Sequence, residues 1–169
     1  MAGSVNEAGY TPLYAAADSR LPDEAGIRAF LSEFYRISDR PEENERWVEQ
    51  FTADARVAIG SGKATGTEEL RTMREGMWSV VAKRKHTVVK VFPGRFEDGD
   101  DGRAAEGDGR CELMLYGDVA YTTKDGDSST VAWAGHGILR KVRVHGEGEG
   151  EGEEEEAWKF AEYRVYMLK

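Results

Sequence analysis

Residues 111–144, CELMLYGDVAYTTKDGDSSTVAWAGHGILRKVRV, contain the pattern that decides the fold. Apolar and polar side chains alternate on either side of Asp125-Gly126, a dipeptide that is typical of a tight hairpin turn. This pattern predicts two long antiparallel strands, at 111–123 and 130–144. The same period of two occurs in two further segments, which extends the meander to four strands: 86–92 and 157–167.

Upstream of the meander, apolar residues recur at helical spacing in three segments. The first helix begins near Asp23 and runs for about four turns. The second begins at Pro41, which suits the first turn of a helix, and its apolar stripe includes Phe51. The third follows Thr67, the predicted N-cap, and its apolar stripe extends to Val81.

The stretches around these helices complete the organisation of the chain. Residues 56–59 are predicted to form one short strand, followed by a turn at Gly60-Ser61-Gly62. The basic run Lys83-Arg84-Lys85 is interpreted as the solvated end of the third helix. Residues 1–22 are predicted to form an extended arm, and residues 23–169 a single domain.

Three N-terminal helices followed by a meander predict an α+β fold. The helices pack on a strongly curved, mostly antiparallel sheet, and together they form a cone with an internal pocket. Gly117, Gly135 and Gly137 lie inside predicted strands, where glycine often marks a bulge or a bend. These glycines are therefore the predicted source of the curvature.

The acidity of the chain is concentrated in two Gly-rich segments. The 169 residues carry a formal net charge of −9. Residues 97–109 (EDGDDGRAAEGDG) hold six acids and one base, and residues 146–156 (GEGEGEGEEEE) hold seven acids and no base. The rest of the domain is therefore slightly basic. We interpret both segments as solvated insertions between strands, with a functional acidic tail or a metal-binding loop as the alternative.

Composition and spacing disfavour several classes of protein. No apolar run approaches the ~20 residues of a membrane span, and the first residues lack the features of a signal peptide. The single Cys111 excludes an internal disulfide, so a reducing, cytoplasmic location is expected. His86, His136 and His145 have no metal-ligand spacing, and no phosphate-binding loop is present, so neither metal nor cofactor is predicted. Nucleic acid is disfavoured because an acidic segment adjoins the basic edge of the strand 130–144.

Five local stretches of sequence resemble one known family. They are FYRISDRP at 34–41, FTADA at 51–55, GTEEL at 66–70, MW at 77–78 followed by RKHT at 84–87, and YRVY at 163–166. On these stretches, residues 24–168 resemble the SnoaL-like branch of the nuclear transport factor 2-like superfamily. The resemblance implies the cone fold. Members of the superfamily include scytalone dehydratase, ketosteroid isomerase and polyketide cyclases, alongside proteins that only bind partners, so the fold does not fix the function.

The resemblance implies two residues at the pocket. Asp39 matches the acidic residue that scytalone dehydratase-like members place there, and His86 matches the first pocket histidine of that enzyme. The second histidine is missing, because residues 111–121 contain none. His136, one strand further on, is the candidate substitute.

An imidazole beside a carboxylate is a general base. Asp39 and His86 are therefore the predicted proton-transfer pair, and Tyr35, one helical turn before Asp39, is the predicted hydroxyl donor to an enolate. Structural interpretations stay open beside this one: Asp39 as the N-cap of the helix at Pro41, His86 as a cap at the end of the third helix, and the aromatic residues as core. The predicted pocket-lining residues are Trp78, Tyr116, Trp133, His136 and Tyr166.

The leading hypothesis is a small cofactor-independent enzyme that isomerises, cyclises or dehydrates an apolar, carbonyl-bearing small molecule. The alternative is a non-catalytic module of the same fold that binds a ligand or a protein. A closed or filled cone with His86 far from Asp39 would favour the module. The resemblance also implies a homodimer through the sheet, with the strand 130–144 and Trp133 as a candidate contact.

Overall fold

The computed structural model describes residues 6–14, 21–94, 96, 109–145 and 154–168. The predicted acidic insertions lie outside the described residues, except for Gly109 and for residues 154–156, which belong to the last strand. The elements, in chain order, are α1 (Glu24–Ser38), a short 3-10 helix (Pro41–Glu43), α2 (Asn44–Glu49), β1 (Phe51–Ile59), β2 (Gly62–Thr65), α3 (Gly66–Met77), β3 (Val81–Gly94), β4 (Arg110–Thr123), β5 (Ser128–His145) and β6 (Glu154–Leu168).

Within the described residues the six strands form one sheet in the order β2-β1-β6-β5-β4-β3. Every neighbouring pair is antiparallel except β1 and β6, which are parallel. The predicted α+β class, with helices packed on a mostly antiparallel sheet, is confirmed. The first helix begins where it was predicted to begin, and Asp23 is its N-cap, since its carboxylate accepts a hydrogen bond from the Gly26 N–H at 3.1 Å. None of the helices described is long and apolar enough to cross a membrane.

Bulges bend the long strands and reverse the faces of their side chains. The pairing of β3 with β4 skips Val89, and that of β5 with β6 skips Ala161. Each extra residue kinks its strand and exchanges the inward and outward positions beyond it. Gly117 pairs with Val88 beside the first of these bulges, and it has no room for a side chain because a Cβ would collide with the Thr87 carbonyl oxygen.

Aromatic rings join α1 to the face of the sheet that the helices cover. The ring of Phe34 lies 4.9 Å from that of Phe160 and 5.3 Å from that of Tyr163, both edge-on. Phe160 and Tyr163 are three residues apart, yet both face inwards because the bulge at Ala161 separates them. Edge-to-face pairs contribute about 0.5–1.5 kcal/mol each beyond their buried area, so this cluster holds α1 firmly on the sheet.

Three boundaries near the start of the sheet differ from the prediction. Phe51 begins β1 instead of ending the second helix. β2 has no counterpart in the prediction, because its four residues are too few to show an alternation, and Gly62 is its first residue. The N-cap of α3 is Thr65, not Thr67, and its N–H donates to the Glu69 carboxylate at 2.8 Å.

β3 begins at Val81, before the predicted start at residue 86. The run Lys83-Arg84-Lys85 therefore belongs to a strand and not to a helix end, and the apolar stripe of α3 stops at Met77. Ala, Lys and Arg favour helices intrinsically, and here the ladder with β4 overrides that preference. Lys83 and Lys85 are exposed, whereas Arg84 faces inwards.

The described part of the arm, residues 6–14, lies along the outer edge of β3. The Val88 N–H donates to the Gly9 carbonyl oxygen at 2.9 Å, the Leu13 N–H to that of Val89 at 2.9 Å, and the Val91 N–H to that of Leu13 at 3.0 Å. These bonds occupy backbone groups that an edge strand otherwise leaves unpaired. The arm is therefore attached to the strand that carries His86.

A buried arginine of α3 caps the C-terminal end of α1. The Arg74 guanidinium donates to the carbonyl oxygens of Ile37 (3.2 Å), Ser38 (3.0 Å) and Arg40 (2.8 Å), and to Asn44 Oδ1 (2.8 Å). Carbonyls at a helix C-terminus lack partners within the helix and carry partial negative charge. Burial lowers the pKa of Arg74 to about 9, so the cap is charged at neutral pH.

We expect Arg74→Met to lower the free energy of unfolding by about 3 kcal/mol or more, because it leaves several buried carbonyl oxygens without donors. Arg71→Met is the matched control, since Arg71 lies one turn earlier on α3 and pairs with Glu45 and Glu68 at the surface. Its loss should change stability little. Urea denaturation followed by circular dichroism measures both variants, and equal losses would contradict the capping role.

Candidate active site

Asp39 and His86 are in direct contact. Asp39 Oδ1 lies 2.5 Å from His86 Nδ1, and Asp39 Oδ2 accepts a hydrogen bond from the His86 backbone N–H at 2.8 Å. Only 5% of the Asp39 side chain and 14% of the His86 side chain are exposed. The two residues that the resemblance implied are therefore together, in a largely buried position.

Two elements bring this pair together. Asp39 is the C-cap of α1, and Arg74 binds carbonyl oxygens on both sides of it. It is not the N-cap of the following 3-10 helix, which is Arg40. His86 lies within β3, paired with Val119 of β4, and not at the end of a helix. The interpretation of Asp39 as the N-cap of the helix at Pro41, and of His86 as a cap at the end of the third helix, is therefore wrong.

The contact fixes the tautomer of the imidazole. Because an ionised carboxylate only accepts hydrogen bonds, Nδ1 carries the proton and Nε2 keeps its lone pair. Burial lowers the pKa of His86, and Asp39 offsets only part of this effect. Burial alone would raise the pKa of Asp39, but the hydrogen bonds from His86 and Tyr10 outweigh it and hold that pKa below its usual value. The pair rests as a carboxylate beside a neutral imidazole.

A hydroxyl from the arm binds the same carboxylate. Tyr10 donates to Asp39 Oδ2 at 2.8 Å. Burial and the charge of Asp39 raise the pKa of Tyr10 well above its usual value, so the hydroxyl stays protonated. Lys85 Nζ lies 3.8 Å from the centre of the Tyr10 ring and holds it against β3. Asp39 is therefore oriented by three donors from two segments of the chain.

A second buried arginine lies beside the pair. Arg84 precedes His86 by two residues and shares its face of β3. Its Nη2 donates to the Ser38 carbonyl oxygen, and its Nε lies 3.8 Å from Asp39 Oδ1, beyond hydrogen-bond distance. Only 9% of the side chain is exposed, and burial lowers the pKa of Arg84. The site therefore contains a cation as well as the His–Asp pair.

A cavity of ≈ 170 Å³ lies beside these groups. Ser38, Arg84 and His86 contribute polar groups to its wall, and most of the remaining lining is aliphatic or aromatic. An engineered apolar cavity of about 150 Å³ holds benzene, so this one suits a ligand of about one substituted ring. The other lining residues are Phe34, Trp47, Ile59, Met77, Val119, Tyr121, Trp133, Tyr163, Val165 and Met167.

Trp133 lines the cavity, whereas Tyr35 does not. The Trp133 ring stacks on that of Tyr35 at 5.4 Å and meets that of His86 edge-on at 5.7 Å. The Tyr35 hydroxyl lies 2.9 Å from the Tyr163 hydroxyl, and Tyr163 is the member of that pair in the cavity wall. Burial raises the pKa of Tyr35 well above its usual value. Trp133 is buried on this inner face, so the prediction that it is a dimer contact is wrong.

The predicted pocket residues Tyr116, His136 and Tyr166 do not line the cavity beside His86. His136 and Tyr166 lie instead in a separate, open depression that residues of β1 and β2 also line. Odd-numbered residues of β4 and most of β5 face inwards, so Tyr116 and His136 face outwards, and the bulge at Ala161 places Tyr166 on the same outer face. His136 Nε2 lies 2.9 Å from Glu112 Oε1, so it does not replace the missing second histidine. Among the described residues, no group of three or more His, Cys, Asp or Glu side chains is arranged to hold a metal ion.

Trp78 supports the site from outside the cavity lining. It is the C-cap of α3, and its ring lies 5.1 Å from the Arg74 guanidinium carbon and 4.7 Å from that of Arg84. Cations at such distances from an indole ring are attracted to its face. The structure thus corrects the prediction: Trp78 contacts the two buried arginines and is not part of the pocket wall.

Arg84, Tyr10 and Tyr163 were not among the predicted site residues. A strand that starts at Val81 would have placed Arg84 on the face of His86, because residues two positions apart in a strand point to the same face. The inward position of Tyr163 depends on a bulge that the sequence does not mark. The contact of Tyr10 depends on the path of the arm, for which no pattern exists.

Comparisons with known proteins identify the fold. No protein-family model and no curated protein matches the chain. Among solved structures, a candidate aromatic ring hydroxylase from Novosphingobium aromaticivorans matches with a TM-score of 0.66 and 16% identity, over 90% of this chain and 93% of that chain. LinA, a hexachlorocyclohexane dehydrochlorinase, matches with a TM-score of 0.65 and 15% identity, over 89% of this chain and 88% of its own.

A third similar structure is described by its fold. It is an NTF2-like protein with a cystatin-like fold from Novosphingobium aromaticivorans, with a TM-score of 0.59 and 13% identity over 88% of this chain and 84% of that chain. At these identities the likeness is one of fold. The chain has the cystatin-like fold of NTF2-like proteins, as its resemblance to the SnoaL-like branch implied.

Proposed function

We propose that the chain is a small cofactor-independent enzyme that removes a proton from the carbon next to a carbonyl group of a largely apolar small molecule. The observation that carries the proposal is the 2.5 Å contact between Asp39 Oδ1 and His86 Nδ1, with His86 in the wall of a cavity. A neutral imidazole with a fixed tautomer and a free Nε2 is suited to general-base catalysis.

Proton removal creates an enolate and an imidazolium. His86 Nε2 takes the proton, the C–H bonding pair forms a C=C bond, and the carbonyl π pair moves onto the oxygen. Asp39 then faces a cation, which its negative charge stabilises. This stabilisation arises only as the proton moves, so it lowers the barrier and does not merely tighten binding.

Three reaction types can follow from the enolate. Return of the proton to another carbon gives an isomer, attack on a second carbonyl within the molecule closes a ring, and loss of a leaving group from the neighbouring carbon gives elimination. In the last case His86 returns its proton to the leaving group. One similar structure is named as a hexachlorocyclohexane dehydrochlorinase, which removes a proton and a leaving group from neighbouring carbons of a substrate without a carbonyl group.

Exchange of hydrogen for deuterium tests the first step without knowledge of the natural substrate. We expect the protein in D₂O to accelerate loss of the α-C–H signals of one-ring ketones such as cyclohexanone, 2-cyclohexenone and acetophenone. His86→Ala should slow this exchange by about 10²–10⁴-fold, since it removes the base. Proton NMR measures the rates.

His136→Ala is the matched control, because His136 also contacts a carboxylate but lies on the outer face of the sheet. It should leave the exchange rate unchanged. A folded His86→Ala protein with the wild-type rate would sink the proposal. Saturable binding of these ketones without any exchange would favour the alternative, a non-catalytic binding module.

The arm takes part in the proposed site through Tyr10. The folded-state pKa of Asp39 lies below its usual 3.8, so the stabilisation from this carboxylate is present above that value and is lost as the pH falls through the folded-state pKa. Part of this stabilisation comes from the Tyr10 hydroxyl, which donates to the ionised form.

We expect Tyr10→Phe to lower the free energy of unfolding at pH 7 by about 1 kcal/mol, because it removes one hydrogen bond to a charged acceptor that is partly buried. The loss should shrink as the pH falls below 3.8 towards the lower folded-state pKa of Asp39, where the carboxylate becomes protonated in the folded protein. Tyr14→Phe is the control, since the Tyr14 hydroxyl is buried without a partner among the described residues. Urea titrations at several pH values measure both, and a loss for Tyr10→Phe that is independent of pH would contradict the contact.

We further propose that two copies associate through the outer face of the sheet. Tyr116, Ala134 and Tyr166 are register partners and form one row across β4, β5 and β6. Phe92 stacks on Tyr116 with ring centres 6.1 Å apart and extends the row to β3. Phe92, Tyr116 and Tyr166 are 54%, 40% and 47% exposed, which is unusual for a group of large rings on a free surface.

The cytoplasmic location stays a prediction.

Light scattering after size-exclusion chromatography tests the dimer. We expect the wild-type chain to elute with twice the mass of one chain at tens of micromolar. The double variant Tyr116→Arg, Tyr166→Arg should elute as a monomer, because the introduced guanidinium groups of the two copies would be buried facing one another in the interface. Val80→Arg is the control, since Val80 is 60% exposed in the turn before β3. A wild-type monomer at that concentration overturns the proposal.

A further inference from the structure

Arg84 has fewer acceptors than a buried cation needs. A guanidinium carries five N–H donors. Among the described residues Arg84 donates hydrogen bonds only to the Ser38 carbonyl oxygen and, at 3.7 Å, to the weak acceptor Met77 Sδ. Its Nε lies 3.8 Å from Asp39 Oδ1 and makes no hydrogen bond. A buried donor without an acceptor costs free energy, so the unused donors of Arg84 point to a ligand.

A second unused donor belongs to the same cavity wall. Trp133 is 2% exposed, and its Nε1 has no acceptor among the described residues. A buried indole N–H usually finds one. Trp78 Nε1 and the Tyr14 hydroxyl also lack described partners, but neither residue lines the cavity.

The register of the sheet places the backbones of Arg84 and Trp133 on opposite sides of His86 along β4. Arg84 pairs with Tyr121 of β4, and Trp133 pairs with Gly117 of the same strand. The β4 partner of His86 lies midway between them. A ligand that satisfies both donors therefore carries acceptors at opposite ends, with His86 beside its middle.

The buried charges near the cavity do not cancel. Arg74 and Arg84 are cations, and Asp39 is the carboxylate that contacts His86 between them. The hydrogen bonds of Arg74 go to carbonyl oxygens and to an amide oxygen, not to a carboxylate. Glu43, the other acid that acts on Arg74, is already paired with Arg36 and Arg46. The site has room for one more negative charge.

The tyrosines near Arg84 do not supply that charge. Tyr121 and Tyr163 both line the cavity, and burial raises the pKa of each. They are therefore neutral at neutral pH. The missing negative charge has to come from what the cavity binds.

We propose that Arg84 binds an anionic oxygen of the ligand and that the Trp133 N–H binds a neutral acceptor at its other end. The ligand class is a one-ring compound with an enol or phenol oxygen opposite a carbonyl or similar group. This inference rests on the proposed function, because the enolate oxygen formed when His86 takes the proton is the anion that Arg84 holds. Each charge formed in that step then lies beside its opposite, imidazolium beside Asp39 and enolate beside Arg84.

4-Nitrophenol probes this site without any turnover. It is a single ring with a phenol oxygen and a nitro group at opposite ends, and its phenolate is coloured. We expect the protein to bind the phenolate at least about tenfold more tightly than the neutral phenol, as for a charge-assisted hydrogen bond. The affinity is measured by absorbance at several pH values above about 6.5, where His86 is neutral. Its pH dependence should give a pKa for bound 4-nitrophenol that lies about one unit or more below that of the free probe. Equal affinity for the two forms overturns the proposal.

Substitutions separate the two donors. Arg84→Gln should abolish the preference for phenolate, and Arg84→Lys, which keeps the charge, should retain most of it and so guards against a folding defect. Trp133→Phe should weaken 4-nitrophenol binding about fivefold but leave the affinity for phenol, which has no nitro group, unchanged. Arg140→Gln is the control, because Arg140 pairs with Asp54 away from the cavity. Survival of the preference in folded Arg84→Gln, or its loss in Arg140→Gln, overturns the assignment.

Phenolate binding and hydrogen–deuterium exchange can fail separately. A preference for phenolate together with an absence of hydrogen–deuterium exchange would support the anion site and overturn the proton-transfer proposal. Exchange without a preference for phenolate would support proton transfer and overturn the role of Arg84.

Discussion

Two buried guanidinium groups hold the carbonyl end of α1, and the geometry of the candidate site depends on them. Arg74 binds carbonyl oxygens before and after Asp39, and Arg84 binds the Ser38 carbonyl oxygen. The last turn of a helix ordinarily frays because its carbonyls have no partners within the helix. Here that turn is buried and matched by positive charge. The carboxylate that follows it is therefore held at a fixed point against His86.

One stretch of 13 residues, 74–86, supplies most of what makes this region polar. It contains the cap of α1, the indole between the two arginines, the cation beside the cavity and the imidazole. Because α3 ends and β3 begins within this stretch, the turn between them sets the spacing of these groups. Stability and chemistry are linked here, since a substitution that alters one of these groups also alters what holds the helix on the sheet.

The sequence predicts the fold more fully than the site, for physical reasons. Alternation on both sides of Asp125-Gly126 identifies β4 and β5 because their inward residues follow a regular period. The first part of β3 lacks that signal, since its inward residue there is Arg84. Tyr166 was assigned to the wrong face because a bulge reverses the period and leaves no mark in a single sequence. Asp39 and His86 came from the resemblance, and spacing alone would not have paired residues 47 positions apart.

The arm also covers part of the exposed edge of the sheet. β3 is an edge strand of the sheet, and an uncovered edge is a template on which another chain can add a strand. Residues 9–13 occupy three of its backbone groups, at Val88, Val89 and Val91. The segment that delivers Tyr10 to Asp39 thus also blocks part of this edge. A chain that loses the arm exposes unpaired backbone groups of β3 and at the same time loses a donor to Asp39. The molecules with a disturbed candidate site would therefore be the ones most prone to aggregate.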